Sequence, residues 1–503
     1  MLFPAGFRGC HGTHIQQVLV ACIPRNTGHR NPRPLMLMKT RTERDSLGER
    51  NVPADAYYGI QTLRAKENFP ISGITARPEF VNAYAMVKKA AAMANMDVGW
   101  LEPKIGRAII AACEEILDGK LRDQFIVDVY QAGAGTSFNM NFNEVIANRA
   151  LELIKRKKGE YSVINPNDHV NMAQSTNDTY PTAMRLCILM VAQGFLDNLE
   201  NLRKAFAKKG MEFERVLKSG RTHLMDALPI TLGQEFAAYS VAIKKARNLI
   251  KENLKLLEEV PLGATAVGTG ANTHPDYQRQ VVNRLREVTG LNLIEAEDPR
   301  EMLQSRLELA SFSSSLKELS LELIRISNDL RLMNSGPVTG WGEIRLPATQ
   351  PGSSIMPGKV NPVMAECMNM ICFQIMGNDL AVSMAVQAGQ MELNVMNPVM
   401  IHNILESMVL LNNYIPVFIA KCISGIEADE ERCKSYLEKN PSIATFLAPH
   451  IGYMKSAEIA KEALKRDMSV RDLVIEKGLL SKKDLDRIFD WEFLIGRKKS
   501  EKK

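Results

Sequence analysis

Apolar residues recur along most of the chain at the spacing of helices. The series Leu309, Phe312, Leu316, Leu319, Leu323, Ile326, Leu330, Met333 alternates steps of three and four without a break. That is the seam of a helix packed at a shallow angle against long neighbours, and Gly336-Pro337 closes it. A second series, Met184, Ile188, Val191, Phe195, Leu199, Leu202 and Phe206, predicts a long helix following Pro181. A third is expected over 231–260, between Pro229 and Pro261. Helices of about 30 residues extend about 45 Å, more than one small domain needs, so their seams require partners. A monomeric long-helix bundle and an oligomer whose subunits share the bundle both satisfy that requirement.

The flanks read differently. Residues 38–176 predict shorter helices, over 79–98, 105–117 and 139–153, joined by polar loops. Residues 177–433 form the central bundle, and 434–503 a small domain of short helices, with Ser469 and Ser481 placed as N-caps. The expectation is an all-α chain of three domains. Residues 1–37 mix Pro, Gly, His and Arg with one short apolar patch at 18–23 and show no helical period, so they are not expected to join the fold. An acid-free, arginine-bearing start fits a transit peptide, but serine enrichment and an amphipathic repeat are missing. A leader ahead of a start at Met36 or Met38 is the alternative.

Charge and cysteine usage narrow the function classes. The formal net charge is +6, yet residues 1–37 and the tail 497–503 carry +4 each, which leaves the body at −2. A nearly neutral body offers no basic face for nucleic acid. No run of about 18 apolar residues suggests a spanning helix. The eight cysteines form no CxxC pair, which points away from a zinc knuckle or a secreted disulfide framework and towards a reducing compartment such as the cytoplasm.

The candidate chemistry lies in loops between helices. Residues 133–144 read GAGTSFNMNFNE, residues 165–178 read NPNDHVNMAQSTND, residues 220–226 read GRTHLMD, and residues 351–362 read PGSSIMPGKVNP. Singly, such runs cap helices and close turns. The last is not a phosphate loop: five residues rather than four separate Gly352 from Gly358, and Val360 replaces the hydroxyl that would hold magnesium. Together they supply hydroxyls (Thr136, Ser175, Thr176, Thr222, Ser353, Ser354), amides (Asn177, Asn361), His223 and Lys359. Donors and cations without an acidic pair describe a pocket for a small polyanion, beside a flexible loop able to turn backbone N–H groups towards a developing oxyanion.

These segments carry a resemblance. Residues 352–366, GSSIMPGKVNPVMAE, resemble the signature of the aspartase/fumarase superfamily, and the likeness extends from about Arg44 to Phe489 through VPADAYYGIQTLRAKENFPIS, GAGTSFNMNFNEVIAN, NPNDHVNMAQSTND and GRTHLMDALP. The aspartase branch fits better than class II fumarase. Fumarases usually have Gln at the place of Ser137, Ser-Ser-Asn-Asp where this chain has Ser175-Thr176-Asn177-Asp178, a secondary-site histidine at the place of Asn165, and Thr-Gln where Val363-Met364 stand.

The resemblance implies an aspartase/fumarase-like fold whose long helices form a central bundle in a homotetramer, with active sites shared between subunits. It implies reversible deamination of L-aspartate to fumarate and ammonia by anti elimination through an aci-carboxylate. By the same likeness Ser353 is the general base, and Thr136, Ser175 and Thr176 hold the β-carboxylate, helped by backbone donors of the Ser353-Ser354 loop. Lys359 and Asn361 take the α-carboxylate, while Thr222, His223 and Asn177 surround the amine, with His223 either orienting the substrate or acting as an acid. No cofactor is implied beyond Mg²⁺ as an activator, and no metal ligands are assigned. A fumarate hydratase, or a non-catalytic scaffold of the same fold, is the alternative; the full set of site residues argues against the scaffold.

Overall fold

The computed structural model describes residues 39–496, so residues 1–37 lie outside the description. Its frame is a set of long helices: Thr176–Glu212, Leu232–Lys255, Leu307–Met333, Val363–Gln387 and Asn397–Phe418. The first packs on the second, the third on the fourth, and the fourth on the fifth. Every member of the 309–333 seam is buried. Thr231 caps Leu232–Lys255 through a capping box with Gln234. Flanking helices Pro78–Asp97, Pro103–Leu117 and Thr136–Leu153 match the expected short helices, and Ser469 and Ser481 cap Val470–Glu476 and Lys482–Ile488.

One expectation needs correction. The second long helix starts at Thr176, not after Pro181, which lies inside it. Ser175 and Asp178 form a reciprocal capping box that nucleates the helix upstream, and Pro181 merely forfeits its bond to the Asn177 carbonyl. The all-α class holds, but the helices are not the whole of it: among the described residues there are also four short two-stranded sheets. The longest hairpin pairs Leu217–Thr222 with Met225–Thr231. Its two-residue tip, His223-Leu224, has φ of 57° and 60°, the positive values that a primed hairpin turn demands.

Asn397–Ile423 is long and apolar enough, by length and composition, to cross a membrane. It buries Asn397, Asn403 and Ser407 and packs on Val363–Gln387 and Thr176–Glu212, the placement of a core helix.

Candidate active site

The first group of site residues sits where two helices begin. Gly133, Ala134 and Gly135 have φ of 90°, 59° and 99°, a left-handed run that ends the preceding loop and starts Thr136–Leu153. A Cβ on Gly135 would lie 2.1 Å from the Tyr180 ring, so only glycine fits. Thr136 Oγ1 donates to Thr176 Oγ1 (3.3 Å), which also accepts Asn139 Nδ2 (3.0 Å). Ser175 caps the second helix, and Asn177 Nδ2 donates to the Ala266 carbonyl (2.8 Å). The structure thus brings Thr136, Ser175, Thr176 and Asn177 together.

Buried polar groups lie directly behind them. Asp178, fully buried, accepts N–H bonds from Ser175, Gly263 and Thr265, while burial pushes its carboxyl up to about 7 against those bonds. Lys88, fully buried in the helix Pro78–Asp97, donates to Asn171 Oδ1 and Gln174 Oε1, each at 3.0 Å. Burial lowers its ammonium to about 7, with Asp178 pulling the other way. The sequence reading missed Lys88, Asn139 and Asn171. A signal was present: Phe80, Tyr84, Lys88, Ala91 and Asn95 fall on one helical face, so the lysine points where the apolar residues point.

The second group is the hairpin tip. Thr222 and His223 are exposed. Below them Arg221 pairs with Glu343 (2.8 Å) and stacks on Trp341 (4.1 Å), and Lys218 reaches Glu343 and Glu235, both at 3.1 Å. Glu343 is fully buried, so a buried ion cluster roots an exposed tip.

The third group is the loop 352–361. Gly352 N donates to the Lys359 carbonyl (2.9 Å), and Asn361 Nδ2 donates to the Gly352 carbonyl (2.6 Å), which closes the neck. A Cβ on Gly352 would meet the Lys359 carbonyl at 2.3 Å. Ser353 Oγ accepts N–H bonds from Ile355 (3.2 Å) and Met356 (2.9 Å). Two donors on one hydroxyl oxygen stabilise its deprotonated form, the condition a serine must meet to act as a base. Ser354 and Lys359 are exposed, and Lys359 lines an open cleft with Asn361, Arg331, Arg345 and Arg432.

Among the described residues no hydrogen bond or ion pair joins the three groups, and no cluster of His, Cys, Asp and Glu is arranged to hold a metal. Each group is held by bonds of its own, and the three stand apart within the chain.

Residues 48–377 match the family described as Lyase, and residues 443–496 match the one described as Fumarase C C-terminus. The aspartate ammonia-lyase of Bacillus subtilis is 52% identical over 450 residues, 90% of this chain and 95% of that protein. That of Escherichia coli K12 is 49% identical over 458 residues, 90% and 96% of the two chains. Among solved structures, a fumarate lyase:delta crystallin from Brucella melitensis bound to cobalt aligns with TM-score 0.89 at 48% identity, covering 91% of this chain and all of that one. A class II fumarase from Schistosoma mansoni aligns with TM-score 0.89 at 37% identity, covering 92% of this chain and all of that one. The chain belongs to this family of lyases. Within it, the identity to the aspartate ammonia-lyases, 52% and 49%, exceeds the 37% to that fumarase.

Proposed function

We propose that the chain is an aspartate ammonia-lyase, a carbon–nitrogen lyase that interconverts L-aspartate with fumarate and ammonia. The observation that carries this reading is the Ser353 hydroxyl seated on the N–H groups of Ile355 and Met356, within a chain about half identical to aspartate ammonia-lyases over 90% of its length.

Elimination requires removal of a Cβ proton that only the adjacent carboxylate acidifies. The intermediate is a dianionic aci-carboxylate, and catalysis consists largely of stabilising the charge that forms there. Ser353 takes the proton as alkoxide, its charge held by the two loop N–H groups. Ser175 and Thr176 receive the β-carboxylate, helped by backbone donors of the Ser353-Ser354 loop, while Thr136 borders it and spends its hydroxyl proton on Thr176 Oγ1. Lys359 holds the α-carboxylate from its exposed position, while the Asn361 side-chain amide is engaged with the Gly352 carbonyl and contributes by fixing the loop neck. Thr222, His223 and Asn177 face the amine, which departs as ammonium and needs no strong acid. The chain's own groups supply every step; Mg²⁺ is an activator at most, and no residues are assigned to it.

Assembly is part of the proposal. Met370, Phe373, Leu380 and Met384 are each more than half exposed on Val363–Gln387; with Gly377 they recur in steps of three, four, three and four. An apolar stripe with that spacing is the seam of a helix that meets other helices. A homotetramer that buries it would bring the three groups together from different subunits. The six described cysteines are free thiols, which suits a cytoplasmic protein with neither a nucleic-acid nor a membrane partner.

The test is formation of fumarate, followed by its ultraviolet absorbance, from L-aspartate beside L-malate. Turnover of aspartate with malate inert is expected. Comparable kcat/KM on malate would replace this reading by fumarate hydratase, and inertness towards both would leave a non-catalytic scaffold.

A further inference from the structure

The polar groups behind Thr176 form a linked hydrogen-bond network in which Asn171 Oδ1 gathers donors from Lys88 and Asn139, and Asn139 in turn donates to Thr176. Lys88 is fully buried, and as an ammonium it can only donate. The two groups it meets, Asn171 and Gln174, must therefore turn oxygen towards it, and each does so at 3.0 Å. Asn171 Oδ1 also accepts Asn139 Nδ2 (3.1 Å) and Asn143 Nδ2 (3.2 Å), while its own Nδ2 donates to the Gln174 carbonyl (3.2 Å). With its NH₂ drawn to that oxygen, Asn139 keeps Oδ1 for the Tyr84 hydroxyl (3.1 Å) and offers Nδ2 to Thr176 Oγ1 (3.0 Å). Thr176 Oγ1 accepts from Thr136 as well (3.3 Å). A hydroxyl has one proton and two lone pairs, so with both lone pairs occupied from the protein side its proton is left to point outward.

We propose that Lys88 is a positioning residue for the elimination: through Asn171 and Asn139 it fixes the direction in which the Thr176 hydroxyl donates, so that this group meets the developing aci-carboxylate as a donor. The inference rests on the assignment of Thr176 to the β-carboxylate. Without the cation Asn171 Oδ1 loses its charged donor and keeps only Asn139 and Asn143; the hold on the Asn171 and Asn139 amides weakens, and Thr176 can spend its proton inward part of the time, presenting a lone pair to a dianion. The orientation matters most when charge develops, because a carboxylate in the ground state carries half the charge of the aci-carboxylate. Lys88 thus acts on the rate of the chemical step more than on substrate binding.

Two variants test this. Lys88→Met removes the cation while keeping an unbranched side chain only one atom shorter. Asn139→Asp keeps the shape but replaces the NH₂ that faces Thr176 with an acceptor, so it reverses the same link without deleting packing and decides the matter should Lys88→Met fail to fold. Each is compared with the wild type for kcat and KM on whichever of L-aspartate or L-malate the wild type turns over. Each is also compared for binding of succinate, a ground-state dicarboxylate, and of a nitronate analogue that places the aci-carboxylate's charge on carbon-bound NO₂. The expected result is a fall in kcat and in nitronate affinity of about 10²-fold, the usual cost of one misdirected oxyanion donor, with KM and succinate affinity held within about threefold. A purely structural role would weaken succinate and nitronate alike, and that result overturns the proposal, as does a folded variant with near-normal kcat and nitronate affinity. Because either substrate passes through an aci-carboxylate, and the binding comparison needs no turnover, failure of the aspartate reading and failure of the relay are separate outcomes.

Discussion

Gly135→Ala is the substitution for which the structure gives the most definite cost. Gly135 has φ 99° and ψ 9°, a left-handed conformation that costs an L-residue about 1–2 kcal/mol. The added Cβ would lie 2.1 Å and 2.3 Å from two carbons of the Tyr180 ring, where contact needs about 3.5 Å. The ring cannot retreat: Tyr180 is buried, with Phe80 and Phe138 at centroid distances of 5.1 Å and 6.1 Å. Overpacking of that kind costs about 1–3 kcal/mol, for a total of about 2–5 kcal/mol. Gly133→Ala isolates the steric part, because Gly133 also has positive φ, 90°, but the atom nearest its Cβ is Thr136 Cβ at an ordinary 3.6 Å; only the backbone cost, about 1–2 kcal/mol, applies. Urea unfolding followed by circular dichroism, at one fixed protomer concentration because assembly contributes to stability, should place Gly135→Ala at least about 1 kcal/mol below Gly133→Ala. Activity should fall as well. The clash is relieved by shifting the start of the helix that carries Thr136, and a displacement of about 1 Å at a positioned group costs about 10²-fold in rate. Equal stability of the two variants would refute the steric argument; unchanged kcat in Gly135→Ala would remove Thr136 from the carboxylate site.

Ser353→Ala should lower kcat by about 10²-fold or more with fold and assembly intact, and near-normal turnover would take Ser353 out of the base role. Lys359→Ala should raise KM as well as lower kcat, since its contact exists in the ground state; a pure kcat effect would contradict the α-carboxylate assignment. Glu144 accepts the N–H groups of Gly59, Gln61 and Thr62 and the Thr62 hydroxyl, and burial pushes its carboxyl up to about 7 from an ordinary 4.5. The stability that a raised carboxyl contributes is present in full below its unfolded value and lost as pH rises through the folded one. The gap in urea midpoint between wild type and Glu144→Gln should therefore shrink from pH 5 to pH 8, and a gap that widens would show the opposite shift. Finally, Ser353→Ala and Thr176→Val chains, unfolded and refolded as a mixture, should regain a fraction of wild-type activity, because shared sites would include some free of both substitutions; no recovery would place each site within one chain.

Much of this architecture could be read before any coordinates, for reasons that differ by element. The 309–333 seam was legible because a helix buried along its length must repeat its apolar residues at three and four, and every residue of that series is buried. The caps at Ser469 and Ser481 were legible because orphan N–H groups at a helix start need a side-chain acceptor. The start at Thr176 was not: Pro181 is the stronger local stop signal, and the reciprocal bonding of Ser175 and Asp178 prevails over it only once both side chains are placed. The hairpin was hidden because its tip residues, His223 and Leu224, are not the Asn and Gly that usually announce left-handed turns. Of the site, the donor residues stood out as unusual polar runs in loops. Lys88 was passed over although its spacing sets it on the face of Phe80, Tyr84 and Ala91, because its neighbour Lys89 in an alanine-rich helix makes the pair read as a solvated face.

The three groups also share a property that bears on how a site divided between chains could work. Each is held rigidly from beneath. Ser353 rests on two N–H groups in a loop whose neck is closed by the Gly352–Lys359 and Asn361–Gly352 bonds. Thr176 is oriented from behind by Asn139, and the His223 tip stands on the ion cluster of Lys218, Arg221 and Glu343. Association of four chains gains little if each must then order its own loops, because that entropy is subtracted from the binding free energy. Donors fixed within each subunit would leave the proposed assembly only a rigid docking to perform, with the exposed apolar stripe of Val363–Gln387 as its driving surface. In a tetramer of the proposed kind, loosening the Lys218–Glu343 root should lower kcat before it lowers the stability of the assembly, since the ions hold the tip and the stripe would hold the subunits.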